Sequence, residues 1–274
     1  MSDAPIGVFD SGVGGLTVLK ALTARLPRER FVYLGDTARL PYGTKTPETV
    51  ARYSVQAAEA LAQYGVKCLV IACNTATAAG LPTIQAHLQS VPVMGVVEPG
   101  AQAACAASRS GHIAVIATEG TVRGGAYQRA ILRIRADARV DAVPAQLFVA
   151  LAEEGLHEGQ IAEDIAAHYL NPLFVPQESG ALVPDTLVLG STHFPMLVRA
   201  IRRTLGPQVQ IVDSAATTAA SVEVQLREAG LTTTTTGPGS VRLLATDGRE
   251  RFAKVGSRFL ERPITPEEVE LVDL

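Results

Sequence analysis

The chain has 274 residues, and its apolar content of 47% against 19% charged residues is that of a globular protein with ample material for a core. Trp is absent and aromatics are 5%, so Val, Ile, Leu and Ala must fill that core. A formal charge of −3 with no basic run argues against nucleic acid or an anionic membrane as a partner. The N-terminus has no basic n-region and only a short apolar run, so no signal peptide is expected. No apolar stretch approaches the roughly 20 residues that span a bilayer, and the chain reads as soluble and cytosolic. Cys68, Cys73 and Cys105 are an odd number with no CxxC pair, so neither a disulfide framework nor a zinc site is expected.

Short β-rich runs alternate with helical patterns, the signature of a parallel α/β sheet. Ile6–Phe9 is the first strand, followed by a glycine-rich turn and a helix through Leu16, Leu19 and Leu22. Phe31–Leu34 is the next strand, then a polar loop from Gly35 to Pro47 and a helix from about Thr46 to Tyr64. Cys68–Ala72 reads as a fully buried strand before an Ala-rich helix, and Val93–Val97 as a strand stopped by Glu98-Pro99-Gly100. A second series opens at Ile113–Ile116. It continues through helices near Gly125–Ile134 and Gln160–Leu170, the strand Thr186–Leu189, a helix over about Pro195–Leu205 and the strand Val209–Asp213. Thr232–Thr236 with Gly237-Pro238-Gly239 looks like a surface linker, ahead of a strand at Val241–Ala245 and a helix around Arg249–Phe259.

The two series resemble each other. Ile6–Asp10 before Ser11 matches Ile113–Ala117 before Thr118, and Leu69–Thr75 matches Leu187–His193. The strand-to-turn pairs lie 63 residues apart (Asp10 to Cys73) and 73 residues apart (Thr118 to Ser191). The pattern suggests a duplicated half; two unrelated α/β segments of common architecture are the alternative.

Four turns carry candidate chemistry. Asp10-Ser-Gly-Val-Gly-Gly15 is not GxGxxG, and an Asp at the strand end would repel a phosphate. It reads instead as a carboxylate at the carboxyl edge of the sheet, where open α/β folds bind ligands; capping of the next helix is the alternative. Asp36–Gly43 mixes charge with a rigid Pro, and backbone N–H groups around Tyr42 and Gly43 could bind a carboxylate. Cys73-Asn74-Thr75 closes a buried strand and opens a helix, a setting that lowers a thiol's pKa and favours thiolate; Cys68 and Cys105 lack it. Gly190-Ser-Thr-His-Phe-Pro195 holds the matching place in the second half. It lacks the GxSxG elbow of a hydrolase, and His193 could tune a proton-transfer group.

In order along the chain, FDSGVGGLTVL, GDTARLPYGTK, ACNTAT, GVVEPGA, ATEGTVRGGAYQRA, LFVALAEEG and LGSTHFPML together resemble glutamate racemase, of the aspartate/glutamate racemase superfamily. The match spans nearly the whole chain, and seven segments in sequence are highly specific. The resemblance implies two pseudo-symmetric, doubly wound α/β domains with parallel sheets and an active site in the cleft between them. One would comprise about residues 1–97 plus 208–255 and the other about 98–207, leaving 256–274 as a C-terminal tail.

The family inverts Cα of glutamate without cofactor or metal, using two cysteines on opposite faces of the substrate, and supplies D-glutamate for peptidoglycan. The resemblance places the first at Cys73. It gives Asp10, His193 and Glu154 to the assisting groups, and Ser11, Pro41, Tyr42, Gly43, Asn74, Thr75, Thr118, Thr121 and Thr192, with Asp10 and His193, to substrate binding. Glutamate is thus the expected partner, with a homodimer as a candidate assembly.

One departure is central: Ser191 stands where the family has its second cysteine. A hydroxyl is a much weaker acid than a thiol, whose free pKa is about 8.5. The expectation is a glutamate racemase impaired on one face. A one-cysteine lyase or isomerase acting on small carboxylic acids, and a silent glutamate-binding paralogue, are the alternatives. Smaller departures are Gly124, where related sequences often carry Ser, and Ala145-Gln146, where a cysteine–proline pair is common.

Overall fold

Strands with apolar residues on both faces alternate with helices that cover them, and the outcome in this computed structural model is two parallel sheets. The structure describes residues 2–176, 178 and 181–274. The first series is β1 (Ile6–Asp10), α1 (Leu16–Arg25), β2 (Phe31–Gly35), α2 (Pro47–Ala62), β3 (Cys68–Ile71), α3 (Asn74–His87) and β4 (Val93–Gly95). Helix α4 (Val97–Ala107) leads to β5 (His112–Ala117), α5 (Glu119–Gly124), α6 (Ala126–Ile134), β6 (Arg139–Pro144), α7 (Leu147–Glu154) and α8 (Gln160–Phe174). Then come β7 (Thr186–Gly190), α9 (Val198–Leu205), β8 (Gln210–Asp213), α10 (Ser214–Glu228), β9 (Val241–Ala245), α11 (Arg249–Leu260) and β10 (Val269–Leu271).

The larger sheet has the order β10-β9-β2-β1-β3-β4 and the smaller the order β6-β5-β7-β8. Every pairing in both is parallel. The four strands β2-β1-β3-β4 therefore repeat as β6-β5-β7-β8. Phe9 of β1 pairs with Ile71 of β3, and Ala117 of β5 with Gly190 of β7. The same rim thus carries Asp10 and Cys73 in one half and Thr118 and Ser191 in the other.

Side-chain alternation sorts the strand residues between three apolar clusters. Phe9, Leu69 and Ile71 face α2 and α3 in one cluster, and Ile113, Val115 and Ala117 face α4 and α6 in another. Ile6, Val8, Ala114, Ile116, Leu187 and Leu189 join α1, α10 and α11 in the third, which runs through both halves. Parallel strands covered on both faces are what continuous apolar runs produce. Local signals set the helix ends: Thr46 caps α2 with its hydroxyl on the Thr49 N–H and Pro47 in the first turn.

Several expectations are revised. Strand β8 joins the smaller sheet beside β7, although the 208–255 segment was expected in the first half. The 256–274 segment is no tail, because α11 runs to Leu260 and β10 pairs with β9. The β8 and β10 runs are too short for periodicity to say which sheet they join; neighbouring edges decide it. Val93–Val97 is strand only to Gly95, and Glu98-Pro99-Gly100 lies in the first turn of α4. Proline fits there because the N–H it lacks has no helical partner at that position. Strand β6, with partly exposed residues and no apolar run, gives no strand signal. The Thr232–Thr236 tract is anchored: Thr233 donates its N–H to Glu29 Oε1 at 2.8 Å and its hydroxyl to Asp3 Oδ1 at 2.8 Å. No helix among the described residues is long and apolar enough to cross a membrane.

Candidate active site

The carboxyl ends of β1, β2 and β3 face those of β5 and β7 across a cavity of about 500 Å³. Glycine lets the two halves close on it. A Cβ on Gly14 would lie 2.5 Å from the His193 ring, so any side chain here would force the β1 turn away from the β7 turn. The contact is sealed by Thr17, whose hydroxyl donates to the Thr192 carbonyl at 2.9 Å.

Cys73 follows β3 and caps α3, with Sγ accepting from the Ala76 N–H at 3.4 Å and the thiol donating to Ser11 Oγ at 3.5 Å. Its position at a helix N-terminus matches the sequence reading, but the acidity does not. Burial pushes the Cys73 thiol up to about 11, and the Asp10 carboxylate adds to the rise; the Ser11 and Ala76 hydrogen bonds oppose it without overcoming it. Desolvation of an anion outweighs a helix end and two weak donors. Cys68, at the start of the same strand, is pushed up to about 12, also by burial.

Asp10 lies just behind the wall, 1% exposed, and accepts the Gly12 N–H at 2.9 Å. Burial raises its pKa, against the attraction of His193 and the neighbouring N–H groups. Its Oδ1 is buried without a partner. Asn74 donates nothing to the protein through its Nδ2 but accepts the Tyr127 hydroxyl on Oδ1 at 2.7 Å. The phenol thereby fixes the amide and leaves its Nδ2 buried without a protein partner. Beside it Thr75, Thr118 and Thr121 form a hydroxyl triangle across the two halves, at 2.9, 3.3 and 3.0 Å. Thr75 and Thr118 line the cavity, and Thr121 stands behind them at 1% exposure.

The β2 loop brings Pro41, Tyr42 and Gly43 to the opposite wall. Tyr42 commits its hydroxyl to the fully buried Asp36, which also accepts from Arg39 and Thr246. Tyr42 and Gly43 line the cavity with the Tyr42 hydroxyl already engaged elsewhere.

In the second half Ser191 lines the cavity at the end of β7, its Oγ accepting the His193 N–H at 3.4 Å. Thr192 and His193 line it too. His193 Nε2 lies 3.2 Å from Glu153 Oε1, and its ring meets Phe259 of α11 edge-on at 5.1 Å. The hydrogen bond with His193, aided by Arg251, holds the Glu153 carboxyl below the usual carboxylate range.

Glu153 corrects the expectation of Glu154. The Glu153 side chain is 19% exposed on the cleft, whereas Glu154 is 67% exposed and lines no part of it. Adjacent helical residues point about 100° apart, and at this end of α7 the turn leaves Glu153 on the cleft and Glu154 in solvent. Phe148, Leu151 and Ala152 are the buried face of α7. Gln146, Leu147, Val149, Ala150 and Glu153 line the cleft, and the three- and four-residue steps from Val149 and Ala150 lead to Glu153. Arg251 had none: α11 is distant in sequence and delivers it to Glu153 Oε2 at 3.0 Å, while Arg258 binds the Glu153 carbonyl at 2.6 Å. Among the described residues, no group of three or more His, Cys, Asp or Glu side chains is arranged to hold a metal ion.

Two strand-end groups face one cavity with acidic and imidazole neighbours, an arrangement chemically suited to proton transfer, on a doubled α/β fold. Residues 6–222 match the Asp/Glu/Hydantoin racemase family, and the chain belongs to it. It is 49% identical over 255 residues to a glutamate racemase of Geobacter metallireducens, covering 93% of this chain and 92% of that one. It is 44% identical over 270 residues to one of Neisseria meningitidis serogroup A, covering 98% and 97%. The crystal structure of glutamate racemase from Francisella tularensis in complex with D-glutamate superposes with a TM-score of 0.90 at 33% identity, covering 100% of this chain and 98% of that one. The Thermus thermophilus glutamate racemase in complex with β-chloro-D-alanine gives 0.87 at 44%, with coverage of 100% and 98%.

Proposed function

We propose that this chain is a glutamate racemase acting by proton transfer at Cα, with Cys73 on one face of the substrate and Ser191 on the other. The observation that carries the reading is the placing of Cys73 and Ser191 at equivalent strand ends on one cavity, within a chain 49% identical to a glutamate racemase. Asn74 Nδ2, the threonine hydroxyls and the backbone of Tyr42 and Gly43 are the donors for the two carboxylates. Asp10, with an unpartnered oxygen behind the wall, is the counter-ion for the α-ammonium.

The Cys73 thiolate removes the α-proton of D-glutamate, and the electron pair passes into the α-carboxylate as an enediolate. Inversion then requires a proton delivered from the Ser191 side. In the reverse direction a base must act from that side, and an unassisted serine hydroxyl is poorly suited to it. His193, held by Glu153, positions Ser191 through its backbone N–H. A bound α-ammonium adds a positive charge near Cys73 and lowers the cost of its thiolate. Ser191 makes turnover slow in this reading.

D-glutamate for peptidoglycan is the product the family resemblance points to. The three free cysteines suit a reducing cytosol. A homodimer remains part of the proposal, for light scattering to check.

The test is exchange of the α-proton in D₂O, followed by NMR for each enantiomer, with circular dichroism for net inversion. Exchange from D-glutamate that outpaces exchange from L-glutamate is the expected result; exchange from neither defeats the roles given to Cys73 and Ser191. Because Ser191 leaves one thiol, a one-cysteine lyase is the second reading. Release of CO₂ from a malonate-type acid, with no exchange of glutamate, would favour it.

A further inference from the structure

Two side chains that line the cleft hold a buried polar atom with no partner: Asn74 Nδ2 and Gln146 Oε1. Asn74 is oriented by Tyr127 and is already given to a substrate carboxylate. Gln146 has no such anchor. Buried polar groups are rarely left unpaired, so an amide in this position calls for a partner from the ligand.

Its place in the fold says which part of the ligand that is. Gln146 follows β6, and the Ala145 N–H bonds the Ala117 carbonyl at 2.9 Å, which ties the segment to the end of β5. Strand β5 separates β6 from β7, so the Gln146 backbone stands two strand spacings, about 10 Å, along the rim from Ser191. That offset suits the far end of a five-carbon acid better than groups on the reacting carbon. The terminal amide torsion is broad and roughly two-fold, so the NH₂ end can turn inward to meet an anion.

We infer that Gln146 is a specificity-determining residue whose side-chain amide donates to the distal carboxylate of the substrate. The inference rests on the glutamate reading of the cleft.

The test is a ligand-by-residue cycle on the full chain with Ser191 in place, so that binding is read without fast turnover. D-glutamate and D-norvaline, which lacks the distal carboxylate, are titrated by calorimetry or NMR into the parent, Gln146→Met and Gln146→Glu. Gln146→Met is expected to weaken D-glutamate about tenfold, the loss of one hydrogen bond to a charged group, and to leave D-norvaline within about twofold. Gln146→Glu, similar in shape but anionic, should weaken D-glutamate further and again spare D-norvaline; it keeps the test open should the Met variant fold poorly. Equal losses on both ligands, or no loss on either, overturn the inference while the glutamate reading stands. A parent chain that binds no glutamate overturns that reading and this inference with it.

Discussion

The turn after β3 and the turn after β7 occupy matching places in two sheets of the same strand order, and both put their first polar side chain onto one cavity. Cys73 caps α3 with its own sulfur and sits close to Asp10 and Ser11. Ser191 is followed instead by a short 3-10 turn, Phe194–Leu197, before α9 begins, and it leans on the His193 backbone. The two positions thus share geometry while differing in the group that carries the proton. Duplication of a scaffold conserves where a side chain points; it does not conserve its acidity, which the side chain and its immediate surroundings set.

The sharpest way to break the comparison is to equalise the two ends. Ser191→Cys should raise racemisation measured by circular dichroism by about 10²–10⁴-fold, the usual worth of a positioned acid or base. A rate unchanged by that variant would show that Ser191 does not hold the second proton-transfer position.

Next in size is the pH response of the Cys73 side. Because burial pushes this thiol up to about 11, it is mostly protonated at neutral pH, and the reactive thiolate grows as pH rises. kcat/KM for exchange from D-glutamate reports the free enzyme, so it should climb about tenfold per unit, or about a hundredfold from pH 7 to 9. A plateau near pH 8.5, where an ordinary thiol levels off, would show that the α3 N-terminus outweighs burial after all.

The second half offers its own internal control. Glu153→Gln should cost about tenfold by weakening the hold on His193, whereas Glu154→Gln, out in solvent, should stay within about twofold. Steady-state rates of the two variants in the Ser191→Cys background separate them; the reverse ranking would return the role to Glu154. Among the substitutions in the cleft, the smallest effect is expected of Thr118→Val. It keeps the shape and breaks the hydroxyl triangle, raising KM about threefold with little change in kcat.

Legibility followed the local physics. Continuous apolar runs such as Cys68–Ala72 and Ile113–Ile116 announced buried parallel strands, because only a strand covered on both faces tolerates them. The site turns were legible for the same reason, each lying where such a run ends. Strand β6 escaped notice because an edge strand with partly exposed residues shows neither a run nor an alternation. The AEEG motif marks a pair of acids, whereas the helix phase set by Phe148, Leu151 and Ala152 brings Glu153 to the cleft.

From sequence alone came the doubled α/β pattern, the family resemblance and the pairing of Cys73 with Ser191, all of which depend on residue order and period. Tertiary structure decided what depends on distance between remote segments and on loss of water. It placed β8 and β10 at their sheet edges, brought Arg251 onto Glu153, and left the buried Oε1 of Gln146 without a partner. It also reversed the expected acidity of Cys73, since a helix end is visible in a sequence and desolvation is not.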